Sequence, residues 1–181
     1  MTEKIIIAGA GGQGVMLLGK IMAKAALILG YQVTWFPSYG AEVRGGTANC
    51  MVTISSRRIP SPYVMNADTL ITLNEPSFIK FNNKLIKSGL LLANSSLIDD
   101  KKLRKISKSI KKIYLPFTDL AIKLGNIKVT NMIVLGTYLR EKKILTKGSV
   151  FNAFRDFTHK DKRALIEINK LAIERGMDLI K

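Results

Sequence analysis

The 181-residue sequence is short of the side chains from which many active sites are built: it holds one cysteine and one histidine. A single thiol, Cys50, cannot form an intrachain disulfide, and it cannot hold an iron–sulfur cluster, which requires four thiolates. Any electron transfer involving the chain must therefore use centres on other chains. Cys50 sits in the apolar, β-rich run Thr47–Ile54, where a buried small side chain is expected. His159 lies among Thr158, Lys160 and Asp161 and reads as a surface residue. No Ser/His/Asp or Cys/His set can be assembled around it, and metal ligation is equally unsupported. Long apolar runs are also missing. Stretches such as Gly89–Ala93 and Met132–Gly136 fall far below the roughly 20 residues that cross a bilayer. The opening Met1-Thr2-Glu3-Lys4 leads directly into Ile5-Ile6-Ile7 without the layout of a secretory signal. A cytoplasmic protein that does not enter a membrane is expected.

Acidic side chains are scarce as well. Thirteen Asp/Glu stand against 29 Lys/Arg, for a net charge of +16. Residues 1–98 carry nine Lys/Arg against four Asp/Glu, net +5, and residues 99–181 carry twenty against nine, net +11. A basic surface attracts polyanions, but the run Lys101–Lys112 has no aromatics interleaved with its charges, as a single-strand nucleic-acid binder would need. At helical spacing that run is a solvated basic face with Leu103, Ile106 and Ile110 turned inward. A nucleic-acid partner is not expected.

What is present is a chain long enough to bury a core as one domain spanning 1–181, with 47% apolar residues. Apolar, β-branched runs alternate with helical patterns. Strands are expected at Lys4–Ala8, Gln32–Phe36, Ala48–Ser55, Thr69–Leu73, Leu90–Ala93 and Lys112–Leu115. Helices are expected at Gly14–Leu29, Ser77–Lys87, Lys101–Ser107, Asp119–Leu124, Asn131–Arg140, Lys147–Phe157 and Lys160–Arg175. Val15, Leu18, Met22, Ala25 and Leu29 fall on one face of the first helix, and Gly30 stands where a helix C-cap is wanted. The alternation indicates a single-domain α/β fold, Rossmann-like and doubly wound, with a mainly parallel sheet and a helical C-terminal third. Ala48–Ser55, followed by Arg57-Arg58-Ile59-Pro60, reads as a strand and turn at an antiparallel edge. The C-terminal helices either wrap the sheet or form a small cap.

Gly9-Ala10-Gly11-Gly12-Gln13-Gly14 fits G-x-G-x-x-G between the first strand and the first helix. In that context Gly9 permits the sharp turn, Gly11 lets the backbone approach a phosphate, and Gly14 lets helix and strand pack closely. Free amides and the helix dipole then face an anion, the dipole contributing about 0.3–1 kcal/mol at an exposed site. A dinucleotide site would place an acid at the end of the second strand. Here that strand ends Trp35-Phe36-Pro37-Ser38, which disfavours NAD and leaves FAD, CoA or another phosphate ligand open. There is no Walker motif. Trp35 reads as a core or interface aromatic, with stacking on an adenine as the alternative.

The segment Ser38-Tyr39-Gly40-Ala41-Glu42-Val43-Arg44-Gly45-Gly46-Thr47 should lie at the same carboxyl edge of the sheet, where open α/β sheets bind ligands. Gly45-Gly46 permits unusual backbone angles. Arg44 offers a planar donor fork for carboxylate or phosphate, although Glu42 and Arg44 could instead pair with each other.

Three motifs in this order resemble the gamma subunit of 2-oxoacid:ferredoxin oxidoreductases: G-x-G-G-Q-G-V at the start, S-Y-G-x-E-x-R-G-G after the second strand, and Asp68 with Leu73-Asn74-Glu75-Pro76. The resemblance covers roughly residues 4–98. It implies an enzyme subunit acting on a 2-oxoacid, CoA and oxidised ferredoxin to give acyl-CoA, CO2 and reduced ferredoxin. CoA would be the ligand of this chain, at Gly9, Gly11, Gly12, Gln13, Gly14, Ser38, Tyr39, Gly40, Glu42, Arg44, Gly45 and Gly46. Thiamine diphosphate, magnesium and the iron–sulfur clusters would belong to partners: alpha and beta subunits and a cluster-bearing subunit or ferredoxin. The form of the second motif is closer to 2-oxoglutarate-type enzymes than to pyruvate-type ones. The isolated chain is expected to be inactive and, given its apolar content, to self-associate as a dimer. The competing readings are a standalone nucleotide-binding oxidoreductase and, further off, a nucleic-acid-binding module.

Overall fold

A computed structural model describes residues 1–38, 47–157 and 163–180. In chain order the elements are β1 (Thr2–Gly9), α1 (Val15–Ile28), β2 (Gln32–Ser38), β3 (Ala48–Ser55), β4 (Ala67–Thr72), α2 (Glu75–Phe81), β5 (Leu85–Asn94), α3 (Asp100–Arg104), β6 (Lys111–Leu115), α4 (Phe117–Lys123), α5 (Thr130–Lys142), α6 (Lys147–Asp156) and α7 (Arg163–Asp178). The six strands form one sheet in the order β2-β3-β1-β4-β5-β6. The pairs β1–β4, β4–β5 and β5–β6 are parallel, and only β3 runs against its neighbours.

Helices cover both faces, as expected of a doubly wound sheet. Alternation along β1 shows how: Ile5 and Ile7 face one core, with α1, α5, α6 and α7, while Ile6 and Ala8 face the other, with Phe78 and Phe81 of α2 and Leu103 of α3. All four β1 side chains are fully buried. Burial of each large aliphatic side chain is worth about 1.5–3 kcal/mol, so β1 anchors both layers. The C-terminal helices wrap the sheet rather than form a separate cap. Residues Thr130–Leu139 of α5 are all buried, and α7 lies against the outer side of α5. Gly30, with φ +82°, ends α1 at the expected place, where Gly30 and Tyr31 donate N–H bonds to Leu27 and Ala26 carbonyls.

Three expectations are corrected. Ala48–Ser55 is antiparallel but not an edge: it lies between β1 and β2 with all eight residues buried. A strand covered on both faces is continuously apolar, so its pattern carries no information about its position in the sheet. The helix expected over Ser77–Lys87 ends at Phe81, passes through a short 3-10 turn at 82–84, and gives way to β5 from Leu85. Phe78, Phe81 and Leu85 keep helical spacing, but the Asn82 side-chain amide donates to the Phe78 and Ile79 carbonyls and closes the helix there. The basic run is not one helix either. α3 stops at Arg104, and Lys111 and Lys112 belong to β6, although Leu103 and Ile110 are buried as anticipated.

Among the described residues no helix is long and apolar enough to cross a membrane. Cys50 is fully buried. Burial pushes its thiol up to about 12, only partly offset by the neighbouring Trp35 indole N–H and the Gly19 backbone.

Candidate functional site

The carboxyl ends of β1 and β4 are adjacent and parallel, and the helices that follow them, α1 and α2, pack on opposite faces. That arrangement opens a crevice at the switch point of an open sheet. The glycine loop fills one side of it. Gly12 has φ +88° with open space where a Cβ would stand, and Gly14, the residue before α1, is left-handed at φ +72°, ψ +23°. Among the described residues no side chain caps α1 and no acid stands in its first turn, which leaves its leading amides open to an acceptor. A cavity of ≈ 370 Å³ lies against this turn, bounded by Gly11, Gly12, Gly14, Met16, Leu17 and by Ala48 of β3. Its walls are mainly apolar, so the site pairs backbone donors with a greasy surface.

The Gln13 amide is bonded within the chain. Its Oε1 accepts from the Ala10 N–H at 2.7 Å, and its Nε2 donates to the Leu73 carbonyl at 3.3 Å, tying the loop to the end of β4. Gly9 is required by this stitch: a Cβ there would come within 2.7 Å of Gln13 Oε1 and 3.0 Å of Leu73 Cβ. Asn94, at the end of β5, donates to the same Leu73 carbonyl at 3.1 Å and to Thr118 Oγ1 at 2.8 Å. On the other flank a smaller cavity of ≈ 150 Å³ lies between Gly12, Gln13 and the residues Thr118, Lys128 and Thr130 that precede or begin α4 and α5. Lys128 is exposed and contributes a cation to this cavity wall.

Of the second segment, Ser38 ends β2 and is exposed, opposite Asn49 of β3, while Ala48 pairs with Gly9. The two ends of that segment are thus at the carboxyl edge beside the glycine loop. Tyr39, Gly40, Glu42, Arg44, Gly45 and Gly46 lie outside the described residues, as does His159. The third motif has structural work. Asp68 accepts from the Lys4 N–H at the opposite edge of the sheet, and Asn74 caps α2 by accepting from the Ser77 N–H. Glu75 meets Lys102 at 2.5 Å and accepts from the Asp99 N–H, contacts that hold its carboxyl below the usual range. Trp35 packs half-buried on the α1 side, with Lys20 Nζ 5.1 Å from its ring centroid. It is a core-margin aromatic rather than a stacking platform.

Sequence reasoning missed Asn94, Thr118 and Asn131, the side chains that brace the loop. Asn131 Nδ2 donates to the Gly14 carbonyl at 3.1 Å from 117 residues away. The available signal was a polar residue within an apolar run, at the end of β5 for Asn94 and in the first turn of α5 for Asn131.

Residues 4–179 match the family described as pyruvate ferredoxin/flavodoxin oxidoreductase. The chain belongs to this family. It is 34% identical over 178 residues to the ketoisovalerate oxidoreductase subunit VorA of Methanothermobacter marburgensis, covering 97% of this chain but 36% of that protein. Against the 2-oxoglutarate synthase subunit KorC of Methanocaldococcus jannaschii the identity is 32%, covering 100% of this chain and 95% of the relative. The chain therefore spans about a third of one curated relative and nearly all of another. Among solved structures, the keto/oxoacid ferredoxin oxidoreductase gamma subunit from Geobacter sulfurreducens superposes with a TM-score of 0.83 at 27% identity, covering 98% of this chain and 95% of that one. A 2-oxoglutarate:ferredoxin oxidoreductase from Magnetococcus marinus, solved with 2-oxoglutarate, coenzyme A and succinyl-CoA bound, shares the fold. Its TM-score is 0.88 at 21% identity, covering 98% of this chain and 31% of that one.

Proposed function

We propose that the chain is the gamma-type subunit of a 2-oxoacid:ferredoxin oxidoreductase and supplies part of the surface that receives coenzyme A, with 2-oxoglutarate as the substrate of the assembly. The observation that carries this reading is end-to-end similarity to a 2-oxoglutarate synthase subunit of nearly the same length. The described residues contain no group of three or more His, Cys, Asp or Glu able to hold a metal; of the two acids expected at the ligand edge, Glu75 is committed to Lys102, and Glu42 lies outside the described residues. Decarboxylation and electron transfer are accordingly assigned to partner chains: alpha and beta subunits with thiamine diphosphate and magnesium, and a cluster-bearing chain. Apolar side chains left on the surface, among them Phe36, Tyr63 and Met65 at 42%, 49% and 71% exposure, support assembly with other chains.

Coenzyme A would supply the thiol that accepts the acyl group. In this chain the leading amides of α1 suit its anionic groups, and the apolar wall at Met16, Leu17 and Ala48 suits its pantetheine arm. Arg44 would add a charged, bidentate contact from the segment between Ser38 and Thr47. The test is reconstitution with the alpha, beta and cluster-bearing chains, followed by CoA-dependent dye reduction with each 2-oxoacid. 2-Oxoglutarate is expected to be preferred, and the chain alone is expected to show no turnover. Arg44→Ala is expected to raise the KM for CoA by about tenfold or more, the worth of a charged hydrogen bond. Normal CoA kinetics in both Arg44→Ala and Gly11→Val complexes would refute the assignment of the loops. Identity to VorA supports a second reading of the substrate, and preference for 2-oxoisovalerate in the same assay would establish it.

A further inference from the structure

The buried face of the glycine loop holds a polar contact that packing alone does not call for. Asn131, the second residue of α5, is 2% exposed. Its Nδ2 donates to the Gly14 carbonyl at 3.1 Å, the same oxygen that accepts the Leu18 N–H at 2.9 Å in the first turn of α1. Its Oδ1 is buried with no hydrogen-bond partner. The amide cannot be turned to relieve this, because the oxygen would then face the Gly14 carbonyl, two acceptors together. A leucine of similar size would fill the same space and bury no unpaired oxygen, so Asn131 is carried at a cost in stability. The approach is also close enough to dictate the neighbouring residue: a Cβ on Gly14 would lie 2.2 Å from Asn131 Nδ2.

The peptide plane explains what the contact does. In a trans peptide the carbonyl and the following N–H point in opposite directions. A Gly14 carbonyl held toward Asn131 and Leu18 therefore turns the Val15 N–H away from Asn131. Val15 and Gly14 both line the ≈ 370 Å³ cavity. Left-handed glycine has easy access to other backbone conformations, so without the tether this peptide is held by the Leu18 N–H alone and its direction loosens.

We propose that Asn131 is the positioning residue of the glycine loop. By holding the Gly14 carbonyl it fixes the direction of the Val15 N–H, and with it the presentation of the α1 N-terminus to the anionic part of the coenzyme. Asn131 does not line either cavity beside the loop and acts only through Gly14. The inference rests on the loop being the coenzyme site.

Asn131→Leu and Asn131→Ser, with Gly11→Val as the loop control, test it in the reconstituted complex. Asn131→Leu is expected to raise the KM for CoA about tenfold, the equivalent of one hydrogen bond. The KM for the 2-oxoacid should not change with it, and the melting temperature should hold or rise, since the unpaired Oδ1 is no longer buried. Amide hydrogen exchange at Leu18, whose N–H donates to the Gly14 carbonyl, measured on the full chain, should speed up in both Asn131 variants. If Gly11→Val raises the KM for CoA and Asn131→Leu does not, Asn131 is only a tether between helices and the loop assignment stands. If neither variant moves it, the loop assignment fails and the role of Asn131 fails with it. Should Asn131→Leu not assemble, Asn131→Ser and the exchange rates decide: unchanged Leu18 exchange in Asn131→Ser overturns the proposal.

Discussion

Replacing Gly136 by alanine puts two physical effects of opposite sign in competition. Gly136 on α5 and Gly176 on α7 face each other where the two helices cross. A Cβ on Gly136 would stand 1.9 Å from the Ile173 carbonyl oxygen, and one on Gly176 would stand 1.9 Å from the Ile133 carbonyl oxygen. Ordinary contact needs about 3.5 Å, so the helices must separate by roughly 1.5 Å or the backbone must bend. The obstacle is backbone rather than a side-chain tip, so it cannot swing aside. Overpacking of this kind costs up to about 3 kcal/mol. Separation would also break the bond that Thr137 Oγ1 donates to the Gly176 carbonyl at 3.1 Å, for about 1 kcal/mol more. Helix propensity returns about 1 kcal/mol when alanine replaces glycine. The net loss is about 3 kcal/mol, or about 6–12 °C in Tm for a chain of this size. Thermal unfolding followed by circular dichroism checks it. A Tm that rises in Gly136→Ala would show that propensity wins and refute the backbone clash at the crossing. The crossing bears on function because α5 carries Asn131 at its start, so displacing α5 withdraws the support of Gly14.

Two further outcomes follow from the site and its surroundings. Cys50 should resist thiol reagents at pH 8 in the native chain and react at once in denaturant, since only the thiolate attacks. Because the folded thiol titrates near 12 and the unfolded one near 9, stability is intact below pH 9 and declines between those values as the unfolded chain loses a proton that the folded chain keeps. Rapid native labelling would contradict the burial. Glu75 is a half-buried residue at the surface whose carboxyl is held low by the Lys102 contact first and the Asp99 N–H second. Its stabilisation is present above the ordinary carboxylate pKa and fades as pH falls through the lowered folded value. Glu75→Gln should therefore change stability little at neutral pH and less still in high salt, and a large loss by urea titration would assign Glu75 a role beyond this surface pair.

The sequence by itself determined the strand–helix alternation, the place of the glycine loop at the end of β1, the burial of Cys50 and the family. Each of these depends on local chemistry: the period of apolar residues, the backbone freedom of glycine, and the order of short motifs. β3 shows the limit. Its boundaries were legible residue by residue, but its position between β1 and β2 was not, because a strand buried on both faces looks the same wherever it lies in the sheet. The end of α2 shows another, since Phe78, Phe81 and Leu85 satisfy helical spacing and the competition was decided by the pairing of β5 with β4. In the candidate site, Gln13 was legible as part of the loop but not as its internal stitch to Leu73, and Asn131 was not legible at all. A hydrogen bond spanning 117 residues leaves no local signature. Only the tertiary structure, by laying the start of α5 against the start of α1, decided which side chain holds the loop in shape.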